Sequence, residues 1–169
     1  GGFTDTTTAV DGLTTVLNAY GLEAGKAAAI SDQMLAAQNF GKTSFGDMAS
    51  SMGKVIPIAS SLNVSTEELF SSIAVLTKNG IATSEAVTGL KAAYSNILKP
   101  SADAGKTAQQ LGLDFSSAHL QSVGWAKFLD EIKEKTGGNA ETMAKLFGST
   151  EALNSVTVLA GKGSADFTK

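Results

Sequence analysis

His119 is the one histidine of this 169-residue chain, and imidazole is the side chain best suited to proton transfer and metal binding near neutral pH. A catalytic or metal site would need further donors that converge on it, and Asp114 is the carboxylate nearest to it in sequence. One carboxylate partner is too few for either kind of site. We therefore interpret His119 as a histidine of a loop or of the surface.

Two pairs of adjacent carboxylates are the next candidates for chemistry, Glu67-Glu68 and Asp130-Glu131. Hydrolysis of a glycosidic bond needs two carboxyl groups roughly 5 to 10 Å apart across a cleft, whereas neighbouring residues of a helix point in different directions. These pairs are therefore predicted to serve as helix caps or solvated faces. The chain has no cysteine and no Gly-x-Ser-x-Gly pattern, so its hydroxyl residues are predicted to be caps rather than nucleophiles. We expect no catalytic, metal-binding or cofactor-binding residue.

The composition is that of a folded chain without an affinity for nucleic acid. Hydrophobic residues make up 43% and charged residues 17%, which is too apolar for intrinsic disorder. The formal net charge is −3, and the 13 basic residues are lysines scattered along the chain, so direct nucleic-acid binding is disfavoured. No apolar run approaches the roughly 20 residues that cross a bilayer.

The stretch from 63 to 100 predicts two helices joined by a tight turn. Ser65 and Glu68 form a capping box, in which each side chain accepts from the backbone N–H of the other residue, so a helix begins there. A glycine stop follows, and a second helix is predicted to be capped by Thr83 or Ser84. So short a joint predicts that the helices lie side by side. The predicted buried residues are Leu69, Phe70, Ile73, Leu76, Thr77, Val87, Leu90, Tyr94 and Ile97.

Further helices are predicted on both sides of this hairpin from caps, apolar stripes and glycine stops. Pro57 lies inside one such pattern and predicts a kink or a break near Ile56, because proline has no N–H to donate. A brief irregular segment is expected after Gly112. The first helix is predicted to bury Val10, Leu13, Val16, Leu17 and Tyr20. The predicted segments are 5–20, 24–40, 44–59, 101–111, 122–136, 139–147 and 149–160.

Glycines and prolines decide between one long helix and a compact fold. A single helix of this length would reach on the order of 250 Å. Helix breakers instead recur along the whole chain, so the apolar stripes between them must be buried against each other. We therefore predict an all-α, compact multi-helix domain of about seven to nine helices, without a sheet, over residues 5–160. Residues 1–4 are predicted to be a disordered or cut N-terminus and residues 161–169 a frayed C-terminal tail.

Two ordered sets of motifs make the chain similar to a known family. The first set comprises Gly80-Ile81, Ser84-Glu85-Ala86, Leu90 and Ile97-Leu98-Lys99-Pro100. The second comprises Gly112-Leu113-Asp114-Phe115, Phe128-Leu129-Asp130-Glu131-Ile132 and Lys145-Leu146-Phe147-Gly148-Ser149-Thr150-Glu151-Ala152-Leu153-Asn154. In their order and spacing, across residues 5 to 160, these motifs resemble the core region of phage tail tape measure proteins. The chain departs from the family pattern at Val87, where many members carry glycine, and at Gly89, where a small residue such as alanine is usual.

The resemblance implies a structural protein of the virion tail. Proteins of this family set tail length, act as a scaffold around which tail-tube subunits polymerise, fill the tube lumen in a few copies, and leave ahead of the genome during infection. The implied location is the tube lumen or the tail tip, and the host bacterial cytoplasm during assembly. The implied partners are other tape measure copies in a homo-oligomer, tail-tube and tail-tip proteins, and tail assembly chaperones, with membrane contact confined to infection.

We expect this domain to be an oligomerisation or docking module and not an enzyme, because its helices are broken by glycine and bury one another. Two alternatives stay open, a cell-wall-degrading module and a membrane-penetrating module used in genome delivery. Most methionine and aromatic side chains are predicted to fill the core. The candidate interaction surface is Phe40, Phe45 and Met48, apolar residues that flank the glycine joint after the second predicted helix.

Overall fold

The structure is a computed structural model that describes residues 6–162. This part of the chain is helical and contains no β-strand, which confirms the all-α prediction. The predictions for residues 1–4 and 163–169 lie outside the described residues. The helices are α1 (Thr6–Ala19), α2 (Ala27–Phe40), α3 (Phe45–Ser51), α4 (Ile56–Ser61), α5 (Thr66–Lys78), α6 (Thr83–Leu98), α7 (Ala102–Leu111), α8 (Ser117–Val123), α9 (Trp125–Thr136), α10 (Ala140–Leu146) and α11 (Thr150–Thr157). Short 3₁₀ turns occupy Ala24–Lys26 and Met52–Lys54, and a π-helical turn, Val158–Lys162, follows α11.

Residues 6–162 contain eleven α-helices, where the sequence predicted seven to nine, and two features explain the difference. The segment after Gly112, expected to be irregular, contains the short helix α8, and Ser116 Oγ caps it by accepting from the His119 N–H at 3.1 Å. The predicted helix 44–59 is divided into α3 and α4. Pro57 lies in the first turn of α4, where its missing N–H removes no intrahelical hydrogen bond, so the break predicted near Ile56 is confirmed.

Side-chain caps begin several helices where the sequence predicts them. The capping box is complete, since Ser65 Oγ accepts from the Glu68 N–H at 3.0 Å and Glu68 Oε1 accepts from the Ser65 N–H at 3.4 Å. The prediction for α6 is wrong, because its N-cap is Ala82 and no side chain caps it. Thr83 instead shares a 2.7 Å hydrogen bond with the hydroxyl of Thr43, so a tertiary contact has replaced the local one.

α5 and α6 form the centre of the core, and their predicted stripes are buried throughout. The two helices touch each other, but α5 packs more extensively on α2, and α6 on α11. Trp125, at the start of α9, lies fully buried in contact with both helices. Its Nε1–H donates to Ser72 Oγ of α5 at 3.0 Å, and its ring stands edge-on to Tyr94 of α6 with centroids 4.8 Å apart. The tryptophan therefore joins three helices.

α1 turns a partly different face to the core from the one predicted. Val16 is fully buried, as expected, but Val10 is 53% exposed and the prediction for it is wrong. Gly12 is buried instead, because that face of α1 lies against Ala49 of α3. Glycine does not count as an apolar position in a helical pattern, so the apolar pattern of α1 does not indicate this contact.

α6 and α11 cross with almost no space between them. A Cβ atom on Gly89 would stand 2.9 Å from the carbonyl oxygen of Glu151 and would overlap Ser155 Oγ. Close-packed interiors tolerate no such overlap without a shift of one helix. The crossing therefore requires glycine at this position of α6.

Candidate docking groove between α2 and α5

A groove of about 520 Å³ lies between α2 and α5. The two helices run in the same direction, since Phe40 and Gly41 at the end of α2 lie beside the last turns of α5. Earlier in α2, Asp32 lines the same groove as Glu67, which belongs to the first turn of α5. The groove therefore has two distinct ends, one near the helix N-termini and one near the C-termini.

Small side chains create the groove. Ala36 and Ala37 line it from α2, and Ser71 and Ala74 line it from α5. Phe70 contributes apolar surface from the core and is only 1% exposed. Short side chains leave space between the helices that longer ones would fill, and a concave apolar surface with a few polar groups at its edge is the usual form of a binding site.

The two helices meet at the C-terminal end of the groove. A Cβ atom on Gly41 would be 2.6 Å from the carbonyl oxygen of Ala74, so the chain leaving α2 lies directly on α5. Thr77 Oγ1 accepts from the Lys42 N–H at 3.1 Å and donates to the Ala74 carbonyl at 3.1 Å. These contacts close the groove at one end and hold α2 in register with α5.

Charged side chains lie near both ends of the groove. At the C-terminal end Phe40 is 42% exposed, and the Lys78 ammonium lies 4.3 Å from the centroid of its ring. Asp32 and Glu67, both exposed, lie at the other end, and Asp32 is about 12 Å from Phe40 along α2. The Oε1 atom of Gln33, next to Asp32, is buried without a hydrogen-bond partner in the described part of the chain.

The three residues of the predicted interaction surface lie at different depths. Phe40 lines the groove and is exposed. Phe45 is half-buried at the start of α3, where its N–H donates to Gln38 Oε1 at 2.7 Å. Met48 is 0% exposed, because α3 turns it into the core, and it offers no atom to a partner. Phe40 therefore remains in the candidate surface, and the prediction that Met48 belongs to it is wrong.

Sequence reasoning missed the α5 side of the groove and both of its acidic residues. The alanine-rich composition of α2 indicated that a neighbour could approach closely. Nothing in the local pattern indicates that α2 lies along α5, since the two helices are separated by α3 and α4. The sequence predicts Glu67 to be a cap or a residue of a solvated face, and its position beside the groove depends on tertiary packing alone.

His119 lies on α8 between two carboxylates. Its Nε2 is 2.5 Å from Glu131 Oε2, and its Nδ1 is 3.6 Å from Asp114 Oδ2. Glu131, predicted on the outside of α9, is half-buried by this pairing. Within residues 6–162 no group of three or more histidine, cysteine or acidic side chains has the arrangement of a metal site. The contacts tie α8 to α9 and to the loop before it, which is a structural role.

Two tyrosines near Glu68 are held in their neutral form. Burial raises the pKa of Tyr20 above its usual range, and the negative charge of Glu68 adds to the effect. Burial also raises the pKa of Tyr94, with smaller contributions from Tyr20 and Glu68. The Tyr20 hydroxyl donates to the Val64 carbonyl at 2.7 Å, whereas the Tyr94 hydroxyl is buried without a partner in residues 6–162. Both hydroxyls therefore stay protonated at neutral pH.

The described helices are short compared with a bilayer. α6 is the longest helix in residues 6–162 and has 16 residues. A membrane-spanning helix needs about 20 apolar residues. In the described part of the chain no helix is both long and apolar enough to cross a membrane.

Comparisons with known proteins agree with the resemblance seen in the motifs. The family model described as "Phage-related minor tail protein" matches residues 1–148. The chain is 32% identical over 134 residues to the "Tape measure protein" of Pneumococcus phage Dp-1, which covers 79% of this chain and 12% of that protein. It is 28% identical over 174 residues to the "Probable tape measure protein" of Clostridium phage phiCD119 (strain Clostridium difficile/United States/Govind/2006), covering 99% of this chain and 18% of that protein.

The chain thus spans less than a fifth of the length of either relative. No solved structure matches it at a significant level. The family model covers most of the chain, and both relatives are named as tape measure proteins. The chain therefore belongs to the phage-related minor tail protein family, as a part of a tape measure protein of the virion tail.

Proposed function

We propose that this domain is a folded docking and oligomerisation module of a tape measure protein, and that it acts through the groove between α2 and α5. The observation that carries the proposal is the exposed Phe40 at the edge of an apolar groove, in a chain whose other aromatic rings mostly fill the core. Aromatic side chains on such surfaces are typical anchors of protein interfaces. The whole protein, in this proposal, sets tail length and scaffolds the assembly of the tail tube.

Length setting belongs to the long remainder of such a protein and not to this domain. The curated relatives are several times longer than this chain. Helices in residues 6–162 have at most 16 residues, or roughly 24 Å, and they fold back on one another. A compact unit of this kind is suited to holding components together at a defined place, and less suited to spanning a distance.

The proposed partners are other tape measure copies, tail-tube and tail-tip proteins, and tail assembly chaperones. The proposed sites of action are the tube lumen or the tail tip in the virion, and the host cytoplasm during assembly. We propose no catalytic role, because the family is structural and the chain's single histidine is engaged with two carboxylates. A zone of clearing on peptidoglycan or leakage of loaded liposomes would contradict this assignment.

The test is the solution mass of the chain, measured by light scattering, alone and mixed with tail-tube, tail-tip and chaperone proteins of the same phage. We expect a defined oligomer or a stable complex, weakened when Phe40→Ser removes the exposed ring. Leu98→Ser is the matched control, because Leu98 is 44% exposed on α6 and does not line the groove. A monomer that binds none of these proteins would overturn the proposal.

A further inference from the structure

The α2–α5 groove combines apolar surface with acidic charge at one end. Of the described residues that line it, Asp32 and Glu67 are the charged ones, and both are exposed near the helix N-termini. The apolar part extends from there to Phe40, about 12 Å along α2. The Lys78 ammonium near that far end already lies on the Phe40 ring. The groove therefore favours a partner with positive charge at the acidic end and apolar side chains along the rest.

Gln33 supports the same conclusion, because it presents a buried acceptor. Its side chain lines the groove next to Asp32, and its Oε1 atom is buried without a hydrogen-bond partner in the described part of the chain. A buried polar atom without a partner is unfavourable, so a donor that reaches it from another molecule contributes to binding. Lysine and arginine carry such donors, whereas ionised aspartate and glutamate carry none.

The shape of the groove favours a helix as its occupant. Residues 6–162 contain no strand, so they offer no sheet edge that an extended peptide could join. The groove instead runs between two helices, and Ala36, Ser71 and Ala74 are short enough for a third helix to approach closely. Amphipathic helices bind in such grooves through apolar side chains that recur about once per turn.

We infer that the occupant is an amphipathic helix of a partner protein, with an apolar residue against Phe40 and a lysine or arginine against Asp32 and Glu67. The inference rests on the proposed function and specifies the chemistry of the partner. The helix is expected to run antiparallel to α2 and α5, so that its negative C-terminal end lies near the positive N-terminus of α5. Its basic residue then follows the apolar residue by about eight positions.

Charge reversal at the acidic end tests the pairing in complexes with the tail-tube, tail-tip and chaperone proteins of the same phage. Asp32→Lys/Glu67→Lys is expected to raise the Kd about tenfold or more, because it sets like charges against each other. The neutral variant Asp32→Asn/Glu67→Gln introduces no repulsion and should raise the Kd about threefold. Isothermal titration calorimetry at low ionic strength measures both values, and circular dichroism verifies that each variant is folded.

The matched control is Asp130→Lys/Glu141→Lys, which makes the same change of charge outside the groove. Asp130 is exposed within α9 as Asp32 is within α2, and Glu141 is in a first helical turn as Glu67 is. The control is expected to leave the Kd unchanged.

A photoreactive side chain at the other end of the groove identifies the partner segment. Phe40→p-benzoylphenylalanine keeps an aromatic ring at this position, and mass spectrometry after irradiation locates the partner residue that contacts it. We expect a helical segment with a lysine or arginine about eight residues after the cross-linked position. Replacing that basic residue by glutamate should restore binding to Asp32→Lys/Glu67→Lys, to within about threefold of the original Kd.

The outcomes separate this inference from the proposed function. Loss of affinity in the charge-reversed variant, with recovery when the partner carries glutamate, supports the inference. A complex that is insensitive to charge reversal, or a cross-linked segment without a basic residue at that spacing, overturns it and leaves a docking module intact. A cross-link to a second copy of this chain, or an oligomer that binds no tail protein, also overturns the inference alone. A monomer that binds nothing overturns both.

Discussion

The crossing of α6 with α11 and the pairing of α2 with α5 are both extensive helix contacts, but the first leaves no space between the helices and the second leaves a groove. Gly89 brings α6 so close to α11 that even a methyl group would overlap its neighbours. Gly41 brings the end of α2 equally close to α5, but small side chains on both helices leave a groove along the rest of that contact. Gly89 thus lies in an interface without free space, and Gly41 lies at the end of an interface that leaves a groove.

The difference separates the part of the molecule that provides stability from the part that is available to a partner. Around α6 the side chains of Tyr94, Trp125 and Val156 are fully buried, and the free energy of burial is already gained within the single chain. Along the groove, Phe40 keeps much of its apolar surface in water. That surface can contribute free energy only when another molecule covers it.

The largest expected effect is a loss of stability at alkaline pH, because burial keeps Tyr20 and Tyr94 neutral. Burial holds the pKa of Tyr20 and Tyr94 above the ordinary value of about 10 that applies in the unfolded chain. The contribution of the two tyrosines to the free energy of unfolding is therefore fully present below about pH 10. It is lost as the pH rises toward their pKa values in the folded chain. At pH 11 the unfolded chain gains about 1.4 kcal/mol from each ionised tyrosine, or about 3 kcal/mol in all.

Urea unfolding at pH 7 and at pH 11 measures this loss. The double variant Tyr20→Phe/Tyr94→Phe cannot ionise at these positions and is expected to keep that part of its stability at pH 11. Tyr94→Phe alone should cost little at pH 7, because its hydroxyl has no partner within residues 6–162. If the original chain and the double variant lose the same free energy of unfolding between pH 7 and pH 11, folding does not raise the pKa of either tyrosine.

The next effect concerns the closed crossing itself. Gly89→Ala gains up to about 1 kcal/mol of helix propensity but forces α6 and α11 apart, and we expect a net loss of about 2 kcal/mol in the free energy of unfolding. Adding Ser155→Ala removes one of the two obstacles and should recover part of the loss. Both values come from chemical denaturation followed by circular dichroism.

Gly105→Ala is the matched control for this prediction. Gly105 lies inside α7, and a Cβ atom there would have no neighbour within 4 Å among residues 6–162. The substitution should raise the free energy of unfolding by about 0.5 to 1 kcal/mol, because only helix propensity changes. If Gly89→Ala is as stabilising as Gly105→Ala, α6 and α11 can move apart at little cost. The α6–α11 crossing would then not be more tightly packed than the contact between α2 and α5.

The smallest effect is expected at the closed end of the groove. Gly41→Ala meets the backbone of Ala74, but the short loop that follows α2 can shift in a way that the middle of α6 cannot, so we expect a loss of about 1 kcal/mol. The shift should break the bond from the Lys42 N–H to Thr77 and accelerate exchange of that amide. Gly53→Ala lies in a turn where the described part of the chain places no atom within 4 Å of the added Cβ, so it should leave the exchange rate unchanged.

Four helix starts were predicted from a local cap. Ser44, Ser65, Ser101 and Asn139 each accept from the N–H three residues on, as their spacing indicates. The prediction failed at α6, where Thr83 bonds to Thr43, forty residues away. A capping motif involves residues within a single helical turn. The sequence does not indicate when a hydroxyl from a distant residue forms a hydrogen bond with the side chain that would otherwise be the cap.

The exposure of the predicted surface residues was correct only in part. Phe40 was correctly placed beside a glycine joint and on the exterior. Met48 lies close to the same joint in sequence, yet α3 points it inward. Val10 was expected to be buried by its spacing, and Gly12 occupies the contact with α3 instead. Apolar periodicity identifies a helix and its stripe, but the facing helix decides which edge of the stripe is covered.

By itself the sequence determined the helical class, most helix starts and stops, the break before Pro57, the stripes of α5 and α6, and the family. These depend on interactions within a few residues, or on motif order along the chain, so they can be read without a structure. Tertiary packing alone decided that α2 lies along α5 and that small side chains leave a groove there. It also decided that Asp32 and Glu67 face the same opening, because contacts between distant helices depend on how every other helix is packed.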